Sequence, residues 1–303
     1  EKDLTPEQIT QMRQSIIKNI AINRAIALKG KEEKLNKDKK YTESQNILQE
    51  QLLANLAIFN ELNEKAHNIA KFLNFNYIPR NKRTIKQMLI QADGVVVVYK
   101  TKLSYFEGDK ELFFHLDTSA LKIKNNDNEP LIEIIGSEKQ NILDCTMGLA
   151  GDSIILSYYE HKVTALEKNK IIYLIVSNGL KNYISHDEKI NSYMRRIITH
   201  NIDSVKFLKN CPDNSFDIVY FDPMFSHNIE ESKNLAGIET LANQDFPTAD
   251  FLTEAKRVAK KKVIVKAHFK DDIFEKFDFI RLTRKNTKFH YGYIDTNIEK
   301  AKN

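Results

Sequence analysis

Along the first 74 residues apolar positions recur every three or four places, the period of a helix with one buried face. Thr5-Pro6-Glu7-Gln8 offers an N-cap, a proline at the first helical position and an acceptor side chain at the third. Ile9, Met12, Ile16, Ile17 and Ile20 then follow on one face. A Lys-rich stretch, Gly30 to Lys40, leads to a second helix from about Thr42 to Leu73, with Leu48, Leu52, Leu53, Leu56, Phe59 and Leu62 on one side. A helical hairpin packed on itself or on a neighbour is expected.

From Phe75 to Ile132 the apolar runs shorten. Val95–Tyr99, Leu103–Phe106 and Leu112–Leu116 read as strands, separated by Asp93-Gly94 and Glu107-Gly108-Asp109. From Asn141 onward strands alternate with helices. The predicted strands are 142–144, 162–166, 196–199, 216–221 and 262–266, and the predicted helices 152–159, 170–182, 204–209 and 248–259. Residues 279–283 and 287–294 suit a final antiparallel pair. Repeated βα alternation predicts a mostly parallel sheet with helices on both faces. The expected organisation is therefore α/β, a Rossmann-like domain over 133–303, preceded by a small α/β module over 75–132 and a helical segment over 1–74.

Composition narrows the class. Apolar residues make up 42% and charged residues 29% of 303 residues, as in a globular protein. There is no apolar run of membrane-spanning length and no signal-like start, so a cytoplasmic protein without a membrane partner is expected. Cys145 and Cys211 are far apart, which suits neither a disulfide framework nor a zinc site. His115, His227, His268 and His290 are scattered, and no metal is expected. The net charge of +5 permits a nucleic-acid partner without demanding one.

The candidate chemistry sits at three strand ends. Asp144-Cys145-Thr146-Met147-Gly148-Leu149-Ala150-Gly151-Asp152 places an acid at the end of an apolar strand, then a loop of small residues entering a helix. Such a loop lets the backbone approach a ligand and exposes helix N-terminal N–H groups. An acidic strand end would oppose a pyrophosphate, but it suits the cationic amino-acid end of S-adenosylmethionine (SAM). Glu167 ends the next strand, where a carboxylate can accept both ribose hydroxyl hydrogens. Asp203, after the third strand, is placed either for the adenine or as a plain N-cap. Asp222-Pro223-Met224-Phe225 ends the strand Ile218–Phe221. Its chemistry fits methylation of an exocyclic base amine, whose lone pair is delocalised into the ring. Asp222 and the Pro223 carbonyl would accept the two amine hydrogens, and Phe225 would stack on the base.

These segments resemble the RsmJ type of methyltransferase, which acts on the amino group of a guanine in small-subunit ribosomal RNA. The resemblance lies in Asp144-x-Thr146-x-Gly148-Leu149-x-x-Asp152, Leu166-Glu167-x-Asn169, Val219-Tyr220-x-Asp222-Pro223-Met224-Phe225 and Val263-x-Val265-Lys266. It covers about residues 130–295; Arg80–Lys86 and the module after it look like a related branch from Gram-positive bacteria. It implies a class I methyltransferase with SAM as methyl donor, held by Asp144, Thr146, Gly148, Ala150, Asp152, Glu167 and Asp203. It also suggests an RNA substrate, ribosomal RNA or a ribosomal particle.

Basic segments fit a polyanion. Arg80, Lys82, Arg83 and Lys86 form one cluster, Lys256, Arg257 and Lys260–Lys262 a second, and Arg281, Arg284, Lys285 and Lys288 a third. Each is either a phosphate-binding surface or a solvated face. Lys266 ends an apolar strand near the proposed pocket, where it would meet a substrate phosphate or pair with a neighbouring acid. The reading is a SAM-dependent N-methyltransferase acting on a guanine amine in RNA. Its rivals are a DNA or protein amino methyltransferase, and a non-catalytic RNA- or ribosome-binding protein that keeps the fold.

Overall fold

The computed structural model describes residues 39–116, 123, 129–223, 247–285 and 287–297. The first expected helix and the segment that carries Met224 and Phe225 lie outside the described residues. The chain divides into two compact units, 1–64 and 65–303. In the first, helix α1 (Lys39–Leu73) begins close to the predicted position, with Ile47 and Leu48 exposed. Its last turns, from Lys65 on, belong to the second unit, where Ile69 and Leu73 are buried and the His67 ring stacks on Tyr77 at 3.7 Å.

The second unit continues with α2 (Ile85–Leu89), β1 (Val95–Val98), β2 (Leu103–Glu107), β3 (Lys110–Phe113) and α3 (Pro130–Ile135). The alternating region follows as β4 (Asn141–Asp144), α4 (Gly151–Tyr158), β5 (Lys162–Glu167), α5 (Lys170–Asn182), α6 (Glu188–Arg196), β6 (Ile198–Asn201), α7 (Ser204–Lys209) and β7 (Phe216–Phe221). The chain closes with α8 (Ala249–Val258), β8 (Ala259–His268), α9 (Ile273–Lys276), β9 (Ile280–Leu282) and β10 (Phe289–Asp295).

Strands β1–β3 form an antiparallel meander. Its turn at Gly108, φ +56°, lets Glu107 pair directly with Lys110, so β3 starts earlier than the apolar run Leu112–Leu116 suggests. One face of the meander, Leu103, Tyr105 and Leu112, shares a core with Ile172 and Val176 of α5. The other buries Val95 and Val97 against Met88 of α2, whose start is fixed by a Thr84–Gln87 capping box.

The remaining strands form one sheet in the order β6-β5-β4-β7-β8-β10-β9. The first five run parallel, and β10 is antiparallel to both neighbours. Alternate residues supply two separate cores. Ile142, Ile218, Tyr220 and Ile264 face α4 and α5, through Ile154, Ile155, Ile172 and Val176. Leu143, Val219, Phe221, Val263 and Val265 face α7 and α8, through Leu208, Phe251, Leu252 and Ala255. Each fully buried side chain of this size stabilises the fold by about 1.5–3 kcal/mol.

Periodicity does not predict four of the helices, α2, α3, α6 and α9. Helix α6 is short and mostly polar, but Asp187 caps it and Ile190, Tyr193 and Met194 bury one stripe. It displaces the start of the predicted strand from Arg196 to Ile198. Helix α3 is a brief apolar run started by Pro130. Strand β8 is longer than expected because β7 and β10 pair with both of its edges. After β4 the chain builds outward through β5 and β6, then returns to lay β7 on the other side of β4. That reversal opens a crevice at the carboxyl ends of β4 and β7, where ligands bind in open α/β sheets.

Candidate active site

The loop after β4 is built from the backbone outward. The Met147 N–H donates to Leu166 O at 2.9 Å and the Cys145 N–H to Tyr220 O at 2.9 Å, anchoring the loop to both flanking strands. Gly148 (φ +48°) and Ala150 (φ +62°) turn it into α4 through left-handed conformations. Asp144 is buried and organises this turn: its carboxylate accepts the Thr146 N–H at 3.0 Å and the Ser153 hydroxyl at 2.5 Å. Burial raises its pKa to about 7 against the lowering effect of those two donors. Glu167, at the end of β5, accepts the Gly148 N–H at 3.2 Å and the Asn169 N–H at 2.7 Å. Burial raises its pKa to about 7 as well, offset in part by these backbone donors.

The surface above this loop is open. A Cβ placed at Gly148 would have only Thr146 O as a neighbour, at 3.9 Å, and one at Gly151 would meet nothing within 4 Å. A strand-end carboxylate beside an open glycine loop and a helix N-terminus fits the ribose and aminoacyl ends of SAM. Other predicted cofactor residues have partners inside the protein. Thr146 Oγ1 accepts the Asp222 N–H at 2.7 Å, tying the two loops across the crevice. Asp203 caps α7 through the Lys206 N–H at 3.1 Å and pairs with Lys168 at 3.1 Å, which is the N-cap arrangement.

Asp152, in the first turn of α4, reaches across to the third strand end. Its Oδ2 accepts the Tyr220 hydroxyl at 2.7 Å and the Lys266 ammonium at 2.8 Å. The same ammonium donates to Asp222 at 2.6 Å. Lys266 thus forms the acid-paired arrangement, and its charge is directed at two carboxylates. Burial alone would push its pKa down; the attraction of Asp152 and Asp222 more than reverses this and leaves it well above the ordinary value. Tyr291, opposite Lys266 in the β8–β10 register, donates to Glu129 at 3.1 Å. Pro223 follows Asp222 directly and is buried; Phe225 lies outside the described residues. Sequence reasoning places Tyr220 in a family motif without giving it a role, and does not single out Ser153 or Tyr291. The available signal for Tyr220 is strand alternation, which puts it on the same face as Asp222.

Arg80, Lys82 and Arg83 occupy an exposed turn before α2, with Asn81 and Lys82 at positive φ and the Arg80 guanidinium 5.8 Å from the Tyr99 ring. In the second basic cluster Arg257 pairs with Asp213 and Glu254, Lys261 with Glu138, and Lys262 donates to Ile134 O. Those three side chains are therefore engaged within the fold, Arg257 between α8 and the end of α7, and Lys261 and Lys262 at the start of β8. Among the described residues no helix is long and apolar enough to cross a membrane.

Comparison with known proteins places this geometry. The family model described as "Putative SAM-dependent methyltransferase" matches residues 112–291. The chain is 37% identical over 241 residues to the Bacillus subtilis protein YpiP, an alignment that covers 77% of this chain and 94% of that one. It is 32% identical over 161 residues to the ribosomal RNA small subunit methyltransferase J of Buchnera aphidicola (50% and 64% of the two chains), and 26% identical over 242 residues to that of Desulfotalea psychrophila (74% and 89%). The longer alignments extend beyond the 130–295 span of the motifs. In fold it is similar to a SAM-dependent methyltransferase from Neisseria gonorrhoeae, with a TM-score of 0.52 at 14% identity, covering 77% of this chain and 92% of the other. A crevice at the β4–β7 reversal, a carboxylate-lined glycine loop and an Asp-Pro strand end thus belong to a class I SAM-dependent methyltransferase, and the chain is a member of that family.

Proposed function

We propose that this methyltransferase modifies an exocyclic base amine in RNA, and that its target is a guanine amino group of small-subunit ribosomal RNA. The observation that carries the proposal is the placement of Asp222. Its carboxylate stands at the end of β7, directly before Pro223, on the crevice formed where the strand order reverses. The likeness to ribosomal RNA small subunit methyltransferases supports the choice of RNA.

SAM supplies an electrophilic methyl group. Glu167 would hold its ribose hydroxyls, and the Gly148–Asp152 loop its aminoacyl end. Asp222 and the Pro223 carbonyl would accept hydrogens from the target amine, which favours a pyramidal nitrogen with its lone pair directed outward. Phe225 would aim the base by stacking. Thr146 and Lys266 would keep Asp222 in place, so that most of the rate enhancement comes from positioning. Arg80, Lys82 and Arg83 would contact RNA phosphates.

The test is labelling. The protein is incubated with radiolabelled SAM and separate pools of in vitro transcribed ribosomal RNA, transfer RNA, DNA and protein. Label in the ribosomal RNA, released on digestion as a methylated guanine nucleoside, is the expected result. Label confined to DNA or protein would move the activity to the rival amino methyltransferases, and binding of RNA and SAM without transfer would leave a non-catalytic binder.

A further inference from the structure

Strand β8 runs parallel to β7 and antiparallel to β10, with Phe289 opposite His268. The residues after β8 and the β9–β10 connection therefore lie at the same end of the sheet as Asp222. A line of ring contacts starts there. The Lys266 ammonium, bonded to Asp222, is 5.7 Å from the centroid of the Phe289 ring. Phe289 meets the His268 ring edge-on at 6.0 Å, His268 lies 4.7 Å from Phe269, and the Lys270 ammonium is 5.6 Å from Phe269. Phe269 is 42% exposed, so part of its ring is open to a ligand. Lys270, Arg284, Lys285 and Lys288 are exposed along the same edge.

The support beneath this strip is polar and closely bonded. The Phe269 N–H donates to Lys288 O at 2.8 Å, and His290 Nε2 lies 3.2 Å from Arg284 O. Arg281 bonds the Phe269 carbonyl and pairs with Glu275 at 3.0 Å, so its charge is consumed within the fold. The acids between Phe269 and Lys288 are Asp271, Asp272, Glu275 and Asp278; Glu275 pairs with Arg281, and Asp271 accepts the Ile273 N–H at 3.1 Å. The exposed cations outnumber the acids other than Glu275.

We propose that this strip is the track for the RNA strand flanking the target nucleotide. Phe269 takes an unpaired base by stacking, and Lys270, Arg284, Lys285 and Lys288 take the adjoining phosphates. The inference rests on the RNA reading above and deepens it. An exposed ring beside a row of cations matches the π-face of a base and the phosphates of a single strand. An acidic protein surface would use the cations and leave the ring without a partner.

The experiment compares the full chain with a triple variant, Arg284→Ala/Lys285→Ala/Lys288→Ala, and with Phe269→Ala and Phe269→Leu. SAM titration of each variant checks that the fold is intact. Binding of a uridine oligoribonucleotide is measured against salt, and methyl transfer against the ribosomal transcript. The triple variant should flatten the log–log salt dependence by up to about 2 units, roughly 0.7 for each phosphate no longer neutralised. Both Phe269 variants should weaken binding about 5- to 150-fold, since leucine keeps bulk without a ring. KM for RNA should rise in all three while kcat at saturating RNA holds. Unchanged salt slope and KM in variants that bind SAM normally would overturn the track while leaving the RNA reading intact. A wild-type chain that labels no RNA would instead remove the RNA reading itself.

Discussion

Lys266 and Asp222 form a 2.6 Å ion pair that joins β8 to the end of β7, and the same ammonium holds Asp152 of α4 at 2.8 Å. Two acids thus share one cation in a partly buried pocket. Replacing Lys266 with Met should destabilise the fold by about 3–5 kcal/mol, because two neighbouring carboxylates lose the cation they share. One of the two would then take up a proton, so the acid limb of methyl transfer should move to higher pH. Denaturant unfolding and a pH–rate profile of the variant read the two effects; wild-type behaviour in both would reduce the pair to a solvated contact.

Asp222→Asn tests the reaction step. The side chain keeps its shape, but it loses its charge and one acceptor oxygen is replaced by a donor. Single-turnover transfer should slow about 100-fold or more, roughly 3 kcal/mol in the barrier. SAM affinity should change far less, because Glu167 and the Gly148 loop are untouched. If the variant transfers methyl groups at close to the wild-type rate, the chemistry lies elsewhere.

Cofactor binding should depend on pH. Burial pushes the Glu167 carboxyl up to about 7, and in the proposed role only its carboxylate form would accept the ribose hydroxyls. SAM affinity should therefore rise about tenfold between pH 6 and pH 8 and level off above that range. Glu167→Ala should lower affinity by roughly 1.5–3 kcal/mol and abolish the pH dependence. Calorimetry in buffers of different ionisation enthalpy would also detect proton release on binding; a flat profile in the wild type would count against Glu167.

Asp144 gives the matching stability statement. Its folded pKa of about 7 lies above the ordinary 3.8, so between those values the folded chain binds more protons than the unfolded one. The contribution to stability is fully present below the unfolded pKa and is lost as pH rises through about 7. The ligand-free protein should melt at a lower temperature at pH 8 than at pH 5, and Asp144→Asn should reduce that difference, leaving the share that Glu167 contributes. Equal slopes for the two proteins in a calorimetric pH series would refute the assignment.

Gly179 of α5 carries the contact with the small sheet. A Cβ there would fall within the ring of Phe114, just past β3. Gly179→Ala should cost about 1–3 kcal/mol through overpacking, although alanine is the better helix former. A stabilised variant in urea unfolding would mean that the ring has room to move aside.

Local chemistry was legible without coordinates. The strands β4, β5 and β7 each hold a short, mostly apolar stretch, Ile142-Leu143, Val163–Leu166 and Ile218–Phe221, that ends in an acid. The acids that end them, Asp144, Glu167 and Asp222, were therefore identifiable as strand-end groups, and the boundaries of α5 and α7 follow from their caps at Asn169 and Asp203. Only the tertiary structure decided who partners whom. The sequence separation of Asp152, Tyr220, Asp222 and Lys266 hides the fact that parallel pairing brings β7 and β8 side by side above the start of α4. Lys266 consequently serves the acids of the crevice, whereas its position in the sequence was equally compatible with a phosphate contact. Asp144 illustrates the same limit. Its residue type marked the loop, but its direction, toward Ser153 and the Thr146 N–H, depends on how α4 docks on the sheet. Charge and periodicity are properties of the chain, while ion pairs and buried carboxylates are properties of the packing that brings distant segments within about 3 Å of one another.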